Sequence, residues 1–170
     1  APDIVVNNAG IAQTKASLEL TEDDWRTVLG TNLDGAWRVA QAAARTMVAA
    51  KKGGSIVNIA SILGLRVGSH LLAYAAAKAA LVQVTKALAL EWARYGIRVN
   101  AIAPGYIETE INAGAFETEA GKAMIKRVPQ RRIGTPEDLD GALLLLASGA
   151  SGWMTGSVVV ADGGHSVSSL

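Results

Sequence analysis

The 170-residue sequence contains no cysteine. That excludes a disulfide framework, a thiolate metal site and a cysteine nucleophile. It has only two histidines, His70 and His165. They lie far apart with no carboxylate at metal-ligand spacing, so no metal site is expected. An excess of one charge is also missing: 16 Lys and Arg face 15 Asp and Glu, a formal net charge of +1. Such a balance gives no basic field for nucleic acid and no acidic tail. The basic run Lys126-Arg127 and Arg131-Arg132 is short and broken by Pro129. It reads as a solvated loop rather than a phosphate-binding patch. No apolar run approaches the roughly 18–20 residues a membrane span needs. No signal peptide is visible, so a cytoplasmic location is the default expectation.

What is present is a chain 50% hydrophobic and 18% charged, enough for one domain over residues 1–170 with one sizeable core. Ile4-Val5-Val6 is a β-branched run ended by Asn7-Asn8-Ala9-Gly10, a buried strand entering a turn. Thr21 followed by Glu22-Asp23-Asp24 is an N-cap with first-turn acids. A long helix is expected from there, its inner stripe carried by Trp25, Leu29, Asn32, Leu33, Ala36, Ala40 and Met47, ending at Lys51-Lys52-Gly53-Gly54. Ser55 to Ala60 is a second strand, and an alanine-rich helix runs from about Leu72 to Tyr95, where Gly96 stops it. Ile97 to Ala103 is a third strand closed by Pro104-Gly105. A polar stretch from Tyr106 to Gly134 holds a short helix around Thr118 to Arg127. Thr135-Pro136 opens a helix ending near Ser148-Gly149, and Ser157 to Ala161 is the last strand, before Asp162-Gly163-Gly164. Short apolar strands alternating with helices predict a parallel, doubly wound α/β sheet with right-handed connections and helices on both faces. Ligands then belong at the carboxyl ends of the strands, at Asn7–Gly10, Ser61 onward and Pro104 onward.

The chemistry concentrates in Ser61, Tyr74 and Lys78. Tyr74 and Lys78 are four residues apart on one helix, so they share a face one turn apart. Ser61 leaves the preceding strand on the same rim. Reducing a carbonyl needs a hydride donor and a proton donor. A phenol titrates near about 10, too high for efficient proton exchange at neutral pH. A neighbouring ammonium lowers that value, so Lys78 is expected to pull Tyr74 down and to hold a cofactor ribose. Ser61 is placed to hold the substrate oxygen. Asn32, polar on an apolar stripe, is placed to carry a water that relays protons. Singly, each has a plainer reading: a chance Tyr-x-x-x-Lys pair, a loop serine, a helix-packing asparagine. Their concurrence with Asn-Asn-Ala-Gly after the first strand and Pro-Gly after the third favours the chemical reading.

With those residues in place, the sequence resembles the short-chain dehydrogenase/reductase family. Asn7-Asn8-Ala9-Gly10 is similar to the family's N-N-A-G motif. Asn32, Ser61, Tyr74 and Lys78 match its catalytic tetrad. Pro104-Gly105 with Ile107 and Thr109 matches the nicotinamide-lining segment, and Asp162-Gly163-Gly164 resembles the family's ending. The resemblance implies a Rossmann-like fold and hydride transfer between NAD or NADP and a carbonyl or secondary alcohol. It makes Tyr74 the acid in reduction and the base in oxidation, tuned by Lys78. It puts Asn8, Ala9 and Gly10 beside the cofactor. It also implies a dimer or homotetramer through the two long helices. The lid, with Ile107, Ile111, Phe116 and Met124, is similar to those of 3-oxoacyl-carrier-protein reductases and of sugar and polyol dehydrogenases, which leaves a 3-oxoacyl thioester, a sugar or a polyol as substrate. One departure is large. The family's opening strand, T-G-x-x-x-G-x-G turn and helix, which cradle the pyrophosphate, have no counterpart in the sequence. The expectation is therefore the C-terminal catalytic part of a longer chain. The alternative is a truncated, non-catalytic protein of this fold used for binding or assembly.

Overall fold

The computed structural model describes residues 1–109 and 114–167. Four strands, β1 (Ile4–Asn7), β2 (Gly54–Ile59), β3 (Ile97–Pro104) and β4 (Val158–Ala161), form one parallel sheet in the order β1-β2-β3-β4. The register pairs Asn7 with Asn58, Ile59 with Ile102 and Pro104 with Ala161, so all four strands end on one rim. The strands lie within a residue of their expected bounds.

Successive residues of a strand face opposite sides, and β2 shows how the two faces are filled. Ile56 packs with Ala40, Ala44, Met47, Leu88 and Ala89 from two helices, α2 (Ala36–Ala49) and α3 (Leu72–Trp92). Val57 packs on the other side with Ile102 and Leu146, the latter from α5 (Asp140–Ala147). The sheet is thus covered on both faces, as the alternation predicts. The hand of the connections is not uniform. The chain always steps to the next strand in one direction, yet the first two connections cross one face and the third crosses the other. The third therefore has the opposite hand, and all three cannot be right-handed. The handedness rule reflects tight strand–helix–strand units. The long segment 105–157, with α4 (Glu119–Ile125) inside it, is free of that constraint. Strand β1 is an edge: on the α5 side its Ile4 and Val6 are 48% and 41% exposed.

The first long helix is not one α-helix. It begins as α1 (Glu22–Leu29) behind the expected Thr21–Asp24 capping box, in which Asp24 N donates to Thr21 Oγ1 (3.1 Å) and Thr21 N donates to Asp24 Oδ2 (2.9 Å). It then opens into a π-helical turn over Gly30–Gly35 before α2. The buried positions run Val28, Asn32, Ala36, Ala40, three successive four-residue steps. In an α-helix each such step overshoots by about 40°. The wider π turn absorbs the overshoot and keeps Asn32 facing inward. The alanine-rich helix α3 ends at Trp92, and a single 3-10 turn carries the chain to Gly96, which sits at φ +72°. The helix from Thr135 likewise opens with a 3-10 turn, Pro136–Leu139, before α5.

Candidate active site at the strand-terminal rim

Ser61 follows β2 in an extended conformation and caps a 3-10 turn, its Oγ accepting from Leu63 N at 3.1 Å. The turn closes against α3 through Gly64, where a Cβ would come within 2.8 Å of the backbone C and O of Lys78. A side chain there would push the Ser61 turn off the helix, so Gly64 fixes the distance between the serine and the lysine. Lys78 is 3% exposed, and its Nζ arches back to donate to Ile59 O at 2.7 Å. The same Nζ lies 5.6 Å from the Tyr74 ring centroid. A Cβ on Gly10 would sit 3.5 Å from Asn32 Oδ1 and 3.6 Å from Lys78 Nζ. Gly10, Asn32, Ser61, Tyr74 and Lys78 thus converge beyond the ends of β1 and β2.

Asn32 is fully buried in the π turn and uses both ends of its amide on one residue. Its Oδ1 accepts from Ile11 N and its Nδ2 donates to Ile11 O, both at 2.8 Å. Both ends of the Asn32 amide thus clamp the loop after Gly10. Below it, Asn7 Nδ2 donates to Asn58 Oδ1 (2.8 Å), and Asn58 Nδ2 donates to Thr85 Oγ1 (2.8 Å), tying β1, β2 and α3 together.

The electrostatics correct one expectation. Tyr74 is not pulled below the ordinary phenol value. Burial raises it, and only a hydrogen bond with Ser61 opposes the rise. The lysine carries the larger perturbation: burial lowers Lys78 to about 8. The pair is therefore a neutral phenol beside an ammonium that loses its proton more easily than a free lysine's.

The other predicted residues divide between two places. Asn8 and Ala9 are exposed on the β1 rim beside Gly10. Pro104 and Gly105 stand at the end of β3, where Gly105 is pressed against β4: a Cβ would meet Asp162 Cβ at 2.7 Å. Ile107 forms a parallel bridge with Gly134, while Thr109 is exposed at the edge of the described residues. Ile111 lies outside the described residues. What the sequence reading missed is a set of cations beside this site. Arg66, Lys126, Arg127 and Arg131 line one cavity with Leu63 and Tyr106. Lys126, Arg127 and Arg131 belong to the short basic run, and only Arg66, from a loop distant in sequence, is announced by no local spacing.

A cofactor ribose fits the residues present. The Lys78 ammonium has three hydrogens and one acceptor, Ile59 O, and Gly10 leaves the space beside it without a side chain. Fold and site together define a class: Rossmann-like α/β chains that set a serine and a Tyr-x-x-x-Lys pair on the strand-terminal rim. The family model described as enoyl-(acyl carrier protein) reductase matches residues 1–166. A 3-oxoacyl-[acyl-carrier-protein] reductase FabG of Chlamydia muridarum is 43% identical over 162 residues, 95% of this chain and 64% of that protein. A 2-dehydro-3-deoxy-D-gluconate 5-dehydrogenase of Escherichia coli is 40% identical over 163 residues, with the same coverage. The solved gluconate 5-dehydrogenase of Burkholderia cenocepacia, in complex with NADP and tartrate, superposes with a TM-score of 0.95 at 40% identity, over 99% of this chain and 66% of that one. The chain belongs to the short-chain dehydrogenase/reductase family. It spans 64% of the length of the curated relatives it matches.

Proposed function

We propose that this chain carries the proton-transfer half of an NAD(P)-dependent oxidoreductase that interconverts a carbonyl and a secondary alcohol. The observation that carries the proposal is the pair of half-buried Tyr74 and buried Lys78, held against Ser61 by the close approach of Gly64 to α3. When bound, the nicotinamide supplies the hydride in reduction and accepts it in oxidation. In reduction Tyr74 donates its phenolic proton to the substrate oxygen as the carbonyl carbon gains the hydride, and the phenolate then regains a proton from solvent. A phenol raised by burial is protonated at neutral pH, the form this step needs. Ser61 holds the substrate oxygen beside the phenol. Lys78 binds the ribose hydroxyls with the ammonium hydrogens not directed at Ile59 O. Asn32 positions the Ile11 loop, and with it Gly10. Asn8, Ala9 and Gly10 line the adenosine side; Pro104, Gly105, Ile107 and Thr109 line the nicotinamide side.

The substrate is a small molecule. The relatives' names support a 3-oxoacyl thioester or a sugar derivative, and the lid leaves a polyol open. The outer surface of α2 exposes Trp37, Val39 and Val48 and that of α3 exposes Leu90, which supports a dimer or homotetramer through these helices. Light scattering tests it, and a stable monomer counts against it. The activity test is a nicotinamide absorbance screen with NADH and NADPH against 3-oxoacyl thioesters, sugars and polyols. Turnover that disappears in Tyr74→Phe with cofactor binding retained supports the proposal. No turnover with any of them favours a binding or assembly role.

A further inference from the structure

Beside the candidate active site lies a cavity of about 1030 Å³ between the 62–69 loop and the 124–131 segment. It begins one residue after Ser61: Ile62 and Leu63 line it, and Leu63 N donates to Ser61 Oγ. Four cations line it, Arg66, Lys126, Arg127 and Arg131, and no described carboxylate does. None of the four makes an ion pair among the described residues, whereas neighbouring Arg132 forms a two-pronged pair with Asp138 at 2.5 and 2.8 Å. In a chain of net charge +1 this is a strong local excess, and a concave wall concentrates its field.

Two of the four are anchored without being neutralised. Arg66 Nη1 donates to His165 O at 2.7 Å, and Arg131 Nη1 donates to Lys126 O. Each guanidinium is oriented by a neutral carbonyl and keeps further donors for a ligand. Arg131 also sits at φ +56°. That backbone region is disfavoured for a side chain and free for glycine, so glycine would hold the turn more cheaply. Strain of this kind collects where a side chain has a ligand to meet.

We propose that this cavity binds the anionic end of the substrate, a carboxylate or phosphate, through Arg66 and Arg131 with Lys126 and Arg127 around them. The proposal rests on the oxidoreductase reading for what happens at the other end of that molecule. Ile62 and Leu63, the residues after Ser61, form part of the cavity wall, so the far end of a small substrate whose carbonyl meets Ser61 has the cations within its reach. Guanidinium pairs with carboxylate and phosphate by parallel, charge-assisted hydrogen bonds that a neutral hydroxyl does not match.

Calorimetric titration at low salt with D-gluconate, D-sorbitol and D-glucose 6-phosphate tests it, since the first two share a carbon skeleton and differ in charge. Gluconate is expected to bind about tenfold or more tighter than sorbitol. Arg131→Gly, which the backbone favours, and Arg66→Gln should each weaken gluconate by about fivefold or more and leave sorbitol unchanged. Arg45→Gln, on α2, should change neither. A further gain for glucose 6-phosphate assigns the anion as phosphate, and no gain assigns it as carboxylate. Equal binding of all three ligands, or binding of the charged ligands unmoved in both arginine variants, overturns the proposal. The two readings fail separately. A charge preference with no turnover of any substrate sinks the oxidoreductase and keeps the anion site. Turnover with equal kcat/KM for charged and neutral substrates does the reverse.

Discussion

On one side of the cleft Asn32, Ser61 and Lys78 are buried, and their polar atoms meet backbone partners: Ile11, Leu63 and Ile59. On the other, Arg66, Lys126, Arg127 and Arg131 are exposed, and those with a partner touch only a carbonyl. The first wall stands on β2, α3 and the π turn, the second on loops. A buried polar group must be bonded or it costs stability, so the first wall is fixed whether or not a ligand is present. Exposed cations carry no such penalty, and their arrangement can serve a charged ligand. The first wall suits a reaction shared across a family, and the second suits a choice among substrates.

The sharpest break in the comparison is Tyr74→Phe. Removing the proposed proton donor should lower turnover by about 10²–10⁴-fold and leave thermal stability nearly unchanged. A variant retaining a tenth of the parent rate would move the proton donor elsewhere. Lys78 comes next. Its folded pKa of about 8 lies below its unfolded value of 10.5. Between these the unfolded chain binds the extra proton, so stability should rise with pH across that window, by about 3 kcal/mol. Urea unfolding from pH 8 upward measures the slope, and Lys78→Met should flatten it. The slope is the readout because the substitution also leaves Ile59 O without its donor. A smaller effect is expected from Asn32→Ala, which removes both hydrogen bonds to Ile11. It should cost about 2 kcal/mol in urea unfolding. If hydrogen exchange at Ile11 stays slow in this variant, the clamp is not what orders the loop.

The contrast also marks how far the sequence could be read. Tyr74 and Lys78 lie four residues apart on one helix, so local geometry alone put them on one face. The Thr21 box and, to within a residue, the ends of β1 and β2 were legible for the same reason: caps and turns are decided within a few residues. The π turn was not, because it depends on Asn32 reaching Ile11, a tertiary bond across twenty-one residues. The direction of the Tyr74 shift was missed because spacing shows the neighbouring ammonium but not the burial that outweighs it. The reversed third connection was hidden as well, since the rule that predicts handedness assumes a short crossover. The cations read as a solvated loop because Arg66 is sixty residues from Lys126 in the chain.

The smallest predicted effect concerns two adjacent arginines. Arg132 holds the Asp138 carboxylate that also accepts from Thr135 N (2.8 Å), so it braces the entry to α5. Arg131, one residue earlier, meets only the Lys126 carbonyl. Arg132→Gln should lower Tm by no more than about 3 °C, as expected for an exposed pair, and Arg131→Gln should leave it unchanged. Acid sharpens the distinction. The hydrogen bond from Arg132, followed by that from Thr135, holds Asp138 below the ordinary carboxylate range. A depressed carboxylate stabilises above its unfolded pKa, and that contribution is lost as pH falls through the folded one. The Tm gap between parent and Arg132→Gln should therefore be full at neutral pH and narrow below about pH 4. Arg131→Gln should show no gap at any pH. If the two variants lose Tm equally, Arg131 supports the lid's fold rather than facing a ligand, and the two walls differ less than their hydrogen bonds imply.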